Sequence, residues 1–213
     1  MVLSGCQEQL SILHPAGPAA ATIAQIWWVM LIGAGAVTVL VLGLLTAAML
    51  RQPTSKAEPG SDAWVWVLGL GFPLVTLAAL TGYGLAMGER LLPREDPDLT
   101  TVEAEARQWV WSFRYPDRPG FVTEDVLHIP AGRAVDVRIT SRDVVHSFWV
   151  PRLAGKLDAV PGHVNVLRIE AAAPGTYAGQ SAEFSGTGYR EHVFTVTAHD
   201  EAAWHAFLQA GAP

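Results

Sequence analysis

The segment Gly179–Phe194, GQSAEFSGTGYREHVF, has the spacing of a copper-binding loop. Such a loop reads Cys-x-Glu-x-Cys, with a histidine four residues later and a methionine three beyond that. Here the same places hold Ser181, Glu183, Ser185, Tyr189 and His192. Thiolate is the soft ligand that selects copper, and a serine hydroxyl at neutral pH does not replace it. The frame is present while the ligands differ. A further histidine, His146, lies in TSRDVVHSFWVPRL. Imidazole and carboxylate suit zinc or copper(II), so His146, His192 and Glu183 define a mononuclear candidate. A single histidine in such a setting is more often packed or hydrogen-bonded. Ser181, Ser185 and His192 lack the nucleophile-elbow context and paired acid of a hydrolase, which argues against independent catalysis.

These residues fall in a run of short segments rich in Val, Ile, Thr and aromatics. TVEAEARQWVWSFRY, VLHIPAG, AVDVRITSRD, HSFWVPRL, VNVLRIEA, GTYAGQSAEF and HVFTVTA are separated by Pro/Gly turns. That pattern predicts an antiparallel sandwich or barrel. Trp109 and Trp111 flank Val110 and are expected on one face of a strand. Asp200 is placed to cap a short helix over Asp200–Gln209.

The first part of the chain is different. No charged residue occurs from Ala21 to Leu50 or from Ala63 to Gly88, and about 20 apolar residues suffice to span a bilayer. Residues 1–20 form an N-terminal segment, 21–92 a transmembrane hairpin with spans at about 22–50 and 63–88, and 93–213 a water-soluble domain. Trp27, Trp28, Trp64 and Trp66 sit near the openings of the two spans, where aromatic rings favour the interface. Pro73 is expected to disturb the second helix. Neither span contains an ionisable side chain apart from tyrosine, so neither is a proton relay by itself. The connection between them carries Arg51 and Lys56, whereas residues 7–20 carry no Lys or Arg, which places the connection in the cytoplasm.

Cys6 is the sole cysteine, so this chain forms no internal disulfide. Leu3-Ser4-Gly5-Cys6 resembles the lipobox of bacterial lipoproteins and makes Cys6 a candidate lipidation site, although only five residues precede it and none is basic. The net charge is −6, and from Pro93 onward 16 acidic residues face 11 basic ones. That balance argues against a nucleic-acid partner, which requires a basic face.

Two spans followed by QWVWSFRYP, LHIPAGR, TSRDVVHSFWVPRL and DAVPGHVN, in that order, resemble subunit II of the haem–copper terminal oxidases over about Ile26 to Phe207. The resemblance implies a cupredoxin-like Greek-key sandwich with a short C-terminal helix, held outside the bacterial plasma membrane against a catalytic subunit I that carries haems and copper. In the copper-containing members, His146 would be the first histidine ligand and Ser181 and Ser185 would be the bridging cysteines. Glu183 would be the glutamate offering its carbonyl, Tyr189 the second histidine and His192 the weak methionine. Trp109 matches the residue through which electrons enter. With both thiolates absent, a binuclear copper (CuA) centre is not expected, and SGTGYREH resembles the quinol-oxidase form of the loop.

The resemblance therefore implies a non-catalytic subunit of a quinol-oxidising, proton-pumping oxidase that reduces dioxygen to water. Its partners would be subunit I, further membrane subunits, membrane lipid and, for the complex, quinol. Glu183 would remain a candidate ligand for magnesium at the boundary with subunit I, since hard oxygen ligands suit that ion. Placed by distance from Pro73, a channel-mouth glutamate of some relatives corresponds to Trp66, with Asp62 the nearest acid. Two alternatives remain: a cytochrome c oxidase variant without CuA, and a stand-alone anchored cupredoxin-like module serving metal delivery or protein interaction.

Overall fold

The computed structural model describes residues 9–51, 61–93 and 99–210; Cys6 lies outside them. Two compact units emerge, residues 25–90 and the remainder. In the first unit, both apolar runs are helical and long and apolar enough to cross a membrane, over Pro18–Leu50 and Asp62–Glu89. Helix α1 (Pro18–Leu50) starts four residues earlier than composition suggested. Pro18 opens it, a position where a fixed φ is favourable and a missing N–H costs no helical bond. The second run is not uniform: α2 (Ser61–Trp64) leads into a π-helical stretch, Val65–Gly71, and then into α3 (Phe72–Glu89). Pro73 lacks an N–H and its ring crowds the carbonyl four residues back. The disturbance takes the form of a widened turn in which the Phe72 N–H reaches the Val67 carbonyl.

The second unit is a sandwich of two five-stranded sheets. Its strands are β1 (Thr100–Arg107), β2 (Val110–Arg114), β3 (Val122–Glu124), β4 (Val126–Pro130), β5 (Val135–Ser141), β6 (His146–Trp149), β7 (Lys156–Ala159), β8 (Asn165–Ile169), β9 (Gly175–Ser181) and β10 (Val193–His199). One sheet has the order β3-β2-β1-β5-β8 and the other β4-β10-β9-β6-β7. The sheets are mixed rather than antiparallel throughout, because β1 pairs with β5 and β4 with β10 in parallel. Between each parallel pair the chain visits other strands before returning, so it re-enters the sheet in the same direction.

The two-residue period is visible in burial. Val102, Ala104 and Ala106 of β1 point inward, as do Val135, Val137 and Ile139 of β5. The alternate positions carry charge, including an Asp136–Arg168 pair with N–O distances of 2.7 and 3.0 Å. Trp111, Phe148 and Phe194 meet between the sheets at centroid separations of 4.7–5.5 Å.

Two further contacts fix the ends of the domain. Asp200 caps α4 (Glu201–Gln209), accepting from the Ala203 N–H at 2.8 Å. Phe207 of α4 stacks on His128 at 4.3 Å, and His128 Nδ1 lies 2.7 Å from His199 Nε2. Burial, then the neighbouring His199, holds the His128 pKa down to about 4; burial lowers that of His199, opposed by Asp200.

At the other end, the residues preceding α1 form a strap on the sandwich. The Ala16 N–H donates to the Arg152 carbonyl (2.7 Å), the Ala16 carbonyl accepts from Ala172 N–H (2.8 Å), and Ala20 N–H donates to Leu153 (3.2 Å). Arg152 Nε donates to the His14 carbonyl at 2.9 Å. A Cβ on Gly17 would stand 2.0 Å from the Glu170 carbonyl oxygen, so only glycine passes.

Gly17→Ala is therefore expected to cost about 1–3 kcal/mol, as overpacking does. Gly33→Ala, with open space around its position, should change little; thermal unfolding of the chain in detergent compares the two. The histidine pair predicts acid sensitivity. Unfolded histidines take up protons near pH 6.5 while His128 resists until about pH 4 and His199 is shifted in the same direction, so their contribution is present above pH 6.5 and is lost as pH falls through the lowered values. The denaturant midpoint should drop over that window, and less so in a His128→Gln, His199→Gln double variant.

Candidate functional site

His146 opens β6 and is fully buried. Its Nε2 lies 2.9 Å from Asp143 Oδ1, on the turn just before the strand. The Asp143 carboxylate also accepts from the N–H groups of Gln108 (2.8 Å) and Val144 (2.7 Å). Burial alone would raise its pKa, but the His146 bond and these two N–H groups outweigh it and bring it to about 2. The carboxylate accepts from Nε2–H, which orients the ring and turns Nδ1 towards the pocket. Nδ1 is buried and has no hydrogen-bond partner.

His192 follows a 3₁₀ turn, Tyr189–Glu191, and its carbonyl accepts from the Ser181 N–H at 2.9 Å. Its ring stacks on Trp111 at 5.4 Å and meets His146 edge-on at 4.9 Å. It too is fully buried. Burial, then the neighbouring His146, lowers its pKa to about 4, with the Val110 backbone and Asp143 opposing. His192 is therefore neutral at pH 7.

Ser181, at the end of β9, is buried and its Oγ accepts from the Ser147 N–H at 3.4 Å. Ser185 is buried with an unpartnered Oγ, and its carbonyl accepts from Gln108 Nε2 at 2.6 Å. Glu183 is elsewhere. Its side chain is half-exposed, with Oε2 3.7 Å from Lys156 Nζ and Oε1 accepting from Phe184 N–H at 3.0 Å. Tyr189 packs against the exposed Phe184 at 5.3 Å. Of the six positions singled out in sequence, the structure brings His146, His192 and Ser181 together, buries Ser185 nearby in the chain, and leaves Glu183 and Tyr189 towards solvent.

The two tryptophans do not share a face. Arg107 pairs with Val110, so Gln108 and Trp109 form the turn of the β1–β2 hairpin. The turn interrupts the alternation that the spacing implied: Trp111 is fully buried and Trp109 is 38% exposed. Trp109 lies on the glycines of the loop, and a Cβ on Gly188 would approach its ring to 2.8 Å. Asp143, Gln108 and the His128–His199 pair had not been singled out in sequence. Asp143 stands three residues before His146 within a motif already noted, which was the available signal.

The donor set does not fit a binuclear copper centre. Ser181 and Ser185 offer hydroxyls rather than thiolates, and among the described residues no three His, Cys, Asp or Glu side chains converge on a point. The magnesium reading gains no support either, because the Glu183 carboxylate is ion-paired with Lys156 and no group of three possible ligands converges among the described residues.

Residues 118–198 match the family described as cytochrome c oxidase subunit II, periplasmic domain. The chain belongs to the subunit II family of the haem–copper oxidases. It is 28% identical to cytochrome c oxidase subunit 2 of Alkalihalophilus pseudofirmus over 98% of its own length, and spans 65% of that protein. It is 29% identical to quinol oxidase subunit 2 of Bacillus cereus, again over 98% of its length, and spans 75% of it. Among solved structures, the periplasmic domain of subunit II of the Bradyrhizobium japonicum cytochrome oxidase matches with a TM-score of 0.50 and 25% identity, covering 55% of this chain and 94% of that one. The sandwich is thus cupredoxin-like.

Asp143→Ala is expected to destabilise the chain by about 1.5–3 kcal/mol, the scale of hydrogen bonds to a charged group. In the unsubstituted chain that contribution is present above the ordinary carboxylate value of 3.8 and lost as pH falls towards 2. Denaturant titrations of both proteins at pH 7 and pH 3 measure each part.

Proposed function

We propose that the chain is subunit II of a quinol-oxidising haem–copper oxidase, in which membrane quinol delivers electrons to the catalytic subunit without a copper relay here. The observation that carries this reading is the pair of serines, Ser181 and Ser185, at the places where thiolates would bridge two coppers. Subunits named quinol oxidase occur among the relatives in Bacillus cereus and Acetobacter aceti. The whole complex would reduce dioxygen to water and pump protons. This chain would serve as a structural cap on subunit I, without catalytic residues of its own.

The strap supports the proposed orientation. Residues 14–20 bond to the sandwich, so the start of α1 and the sandwich share one side of the membrane, as two spans require. With the basic connection in the cytoplasm, both lie on the extracytoplasmic side of a bacterial plasma membrane. Residues 1–20, 21–92 and 93–213 would then be anchor segment, hairpin and outer domain, with Cys6 as a lipid attachment point. A magnesium ion at the subunit boundary would have to displace Lys156 from Glu183.

The second reading is a cytochrome c oxidase variant that receives electrons through Trp109. The exposed ring of Trp109 against the 186–188 loop favours it, as does the cytochrome c oxidase name among the relatives. Oxygen consumption by the purified complex separates the two. Quinol is expected to sustain turnover and reduced cytochrome c to give none; turnover with cytochrome c that is lost in Trp109→Ala reverses the assignment.

A further inference from the structure

Two aromatic side chains seat α4 on the sandwich, and both rest on imidazoles. Phe207 stacks on His128 at 4.3 Å and on His199 at 5.6 Å, while Trp204 lies 6.4 Å from His199 and 5.5 Å from Phe207. Tyr115 and Phe121 complete the contact, at 5.2 and 5.3 Å from Phe207. The two imidazoles belong to the paired strands β4 and β10, and His128 Nδ1 is 2.7 Å from His199 Nε2. At that separation one nitrogen donates and the other accepts. Two imidazolium rings would set N–H against N–H, so the contact accommodates one proton and not two.

We propose that the pair is an acid-operated latch: when both imidazoles are protonated, α4 leaves the sandwich and melts while the two sheets stay closed. The first charge is tolerated, because a cation over the face of Phe207 is attracted by the ring. The second places like charges at hydrogen-bonding distance in a half-buried site, where screening is weaker. The surroundings offer little relief. Asp200 favours a charged His199, but its carboxylate is also the cap on the Ala203 N–H. Glu201 is engaged by His205 and Arg133, at 2.9 and 3.9 Å. Arg118, whose Nη1 donates to the Phe207 carbonyl at 2.8 Å, adds positive charge. Tyr115, whose hydroxyl accepts from the His128 N–H, is kept neutral by burial. Once Phe207 is unseated, a nine-residue helix is too short to persist alone in water. Burial already holds both imidazoles below the ordinary histidine value, the direction that a latch closed at neutral pH requires. The latch is a property of the sandwich and does not depend on the electron donor of the oxidase.

The test follows backbone hydrogen exchange by mass spectrometry on the full chain in detergent, with rates corrected for the intrinsic effect of pH. Between pH 7 and pH 5, protection across Glu201–Gln209 is expected to fall at least ~10-fold while β1 and β5 keep theirs. Released imidazoles take up protons near pH 6.5, whereas docked His128 does so near 4. His192 is shifted the same way, so a His128→Gln, His199→Gln double variant makes the assignment: its α4 should no longer respond to pH. Unchanged protection of α4, an equal fall in β1 and β5, or a fall that survives in the double variant overturns the proposal. Should the double variant fail to fold, ¹⁵N spectra of the unsubstituted chain decide. The α4 amide resonances should move with the titration of His128 and His199, and movement with His192 or His205 instead overturns it.

Discussion

Trp111 is the contact on which the sandwich and its pocket both depend. It belongs to β2 in one sheet, yet its ring meets Phe148 of β6 and Phe194 of β10 in the other, together with His146 and His192. Removing a buried tryptophan of this kind costs about 3–5 kcal/mol in general. Here it would also remove the wall that holds the two imidazoles in place. The pocket therefore persists for reasons of packing, whatever its ligands. The register of the loop is thus held whatever side chains positions 181 and 185 carry. β9 and β10 remain paired from Gln180–Val193 to Gly175–Ala198, and Gln108 and Trp109 hold the loop from the other side.

Much of the architecture was legible in sequence because it rests on local signals. Uncharged runs gave the two helices, alternation gave the strand faces of β1 and β5, and Asp200 announced the cap of α4. What escaped was set by partners distant in the chain. Alternation cannot say that β1 lies beside β5 in parallel, since strand order is decided by which faces bury each other. Trp109 and Trp111 looked equivalent until the hairpin turn fell on Gln108–Trp109. The placement of Glu183 against Lys156 was equally hidden, because Glu183 follows β9 and Lys156 opens β7, with β6 between those strands in the sheet.

The relation between His146 and Asp143 shows where sequence reading stopped short at the site itself. Both residues sit within one motif, three apart, and either alone invites a bland interpretation. Together they fix the ring's orientation, and that fixes which nitrogen faces the pocket. A buried ring nitrogen without a partner is a sharper observation than a histidine at a familiar position. It turns a residue with no evident task into one with a chemical requirement.

The strap also bears on how the chain is made. Residues 14–20 leave the ribosome before either span, but their hydrogen-bonding partners, at 152, 153 and 172, come more than 130 residues later. This segment cannot dock until the sandwich that supplies its partners has closed. Contacts of such long sequence separation form late, since the loop entropy must be met before they contribute. Gly17 against the Glu170 carbonyl is thus a contact made at the end of folding, available only once the sandwich is in place.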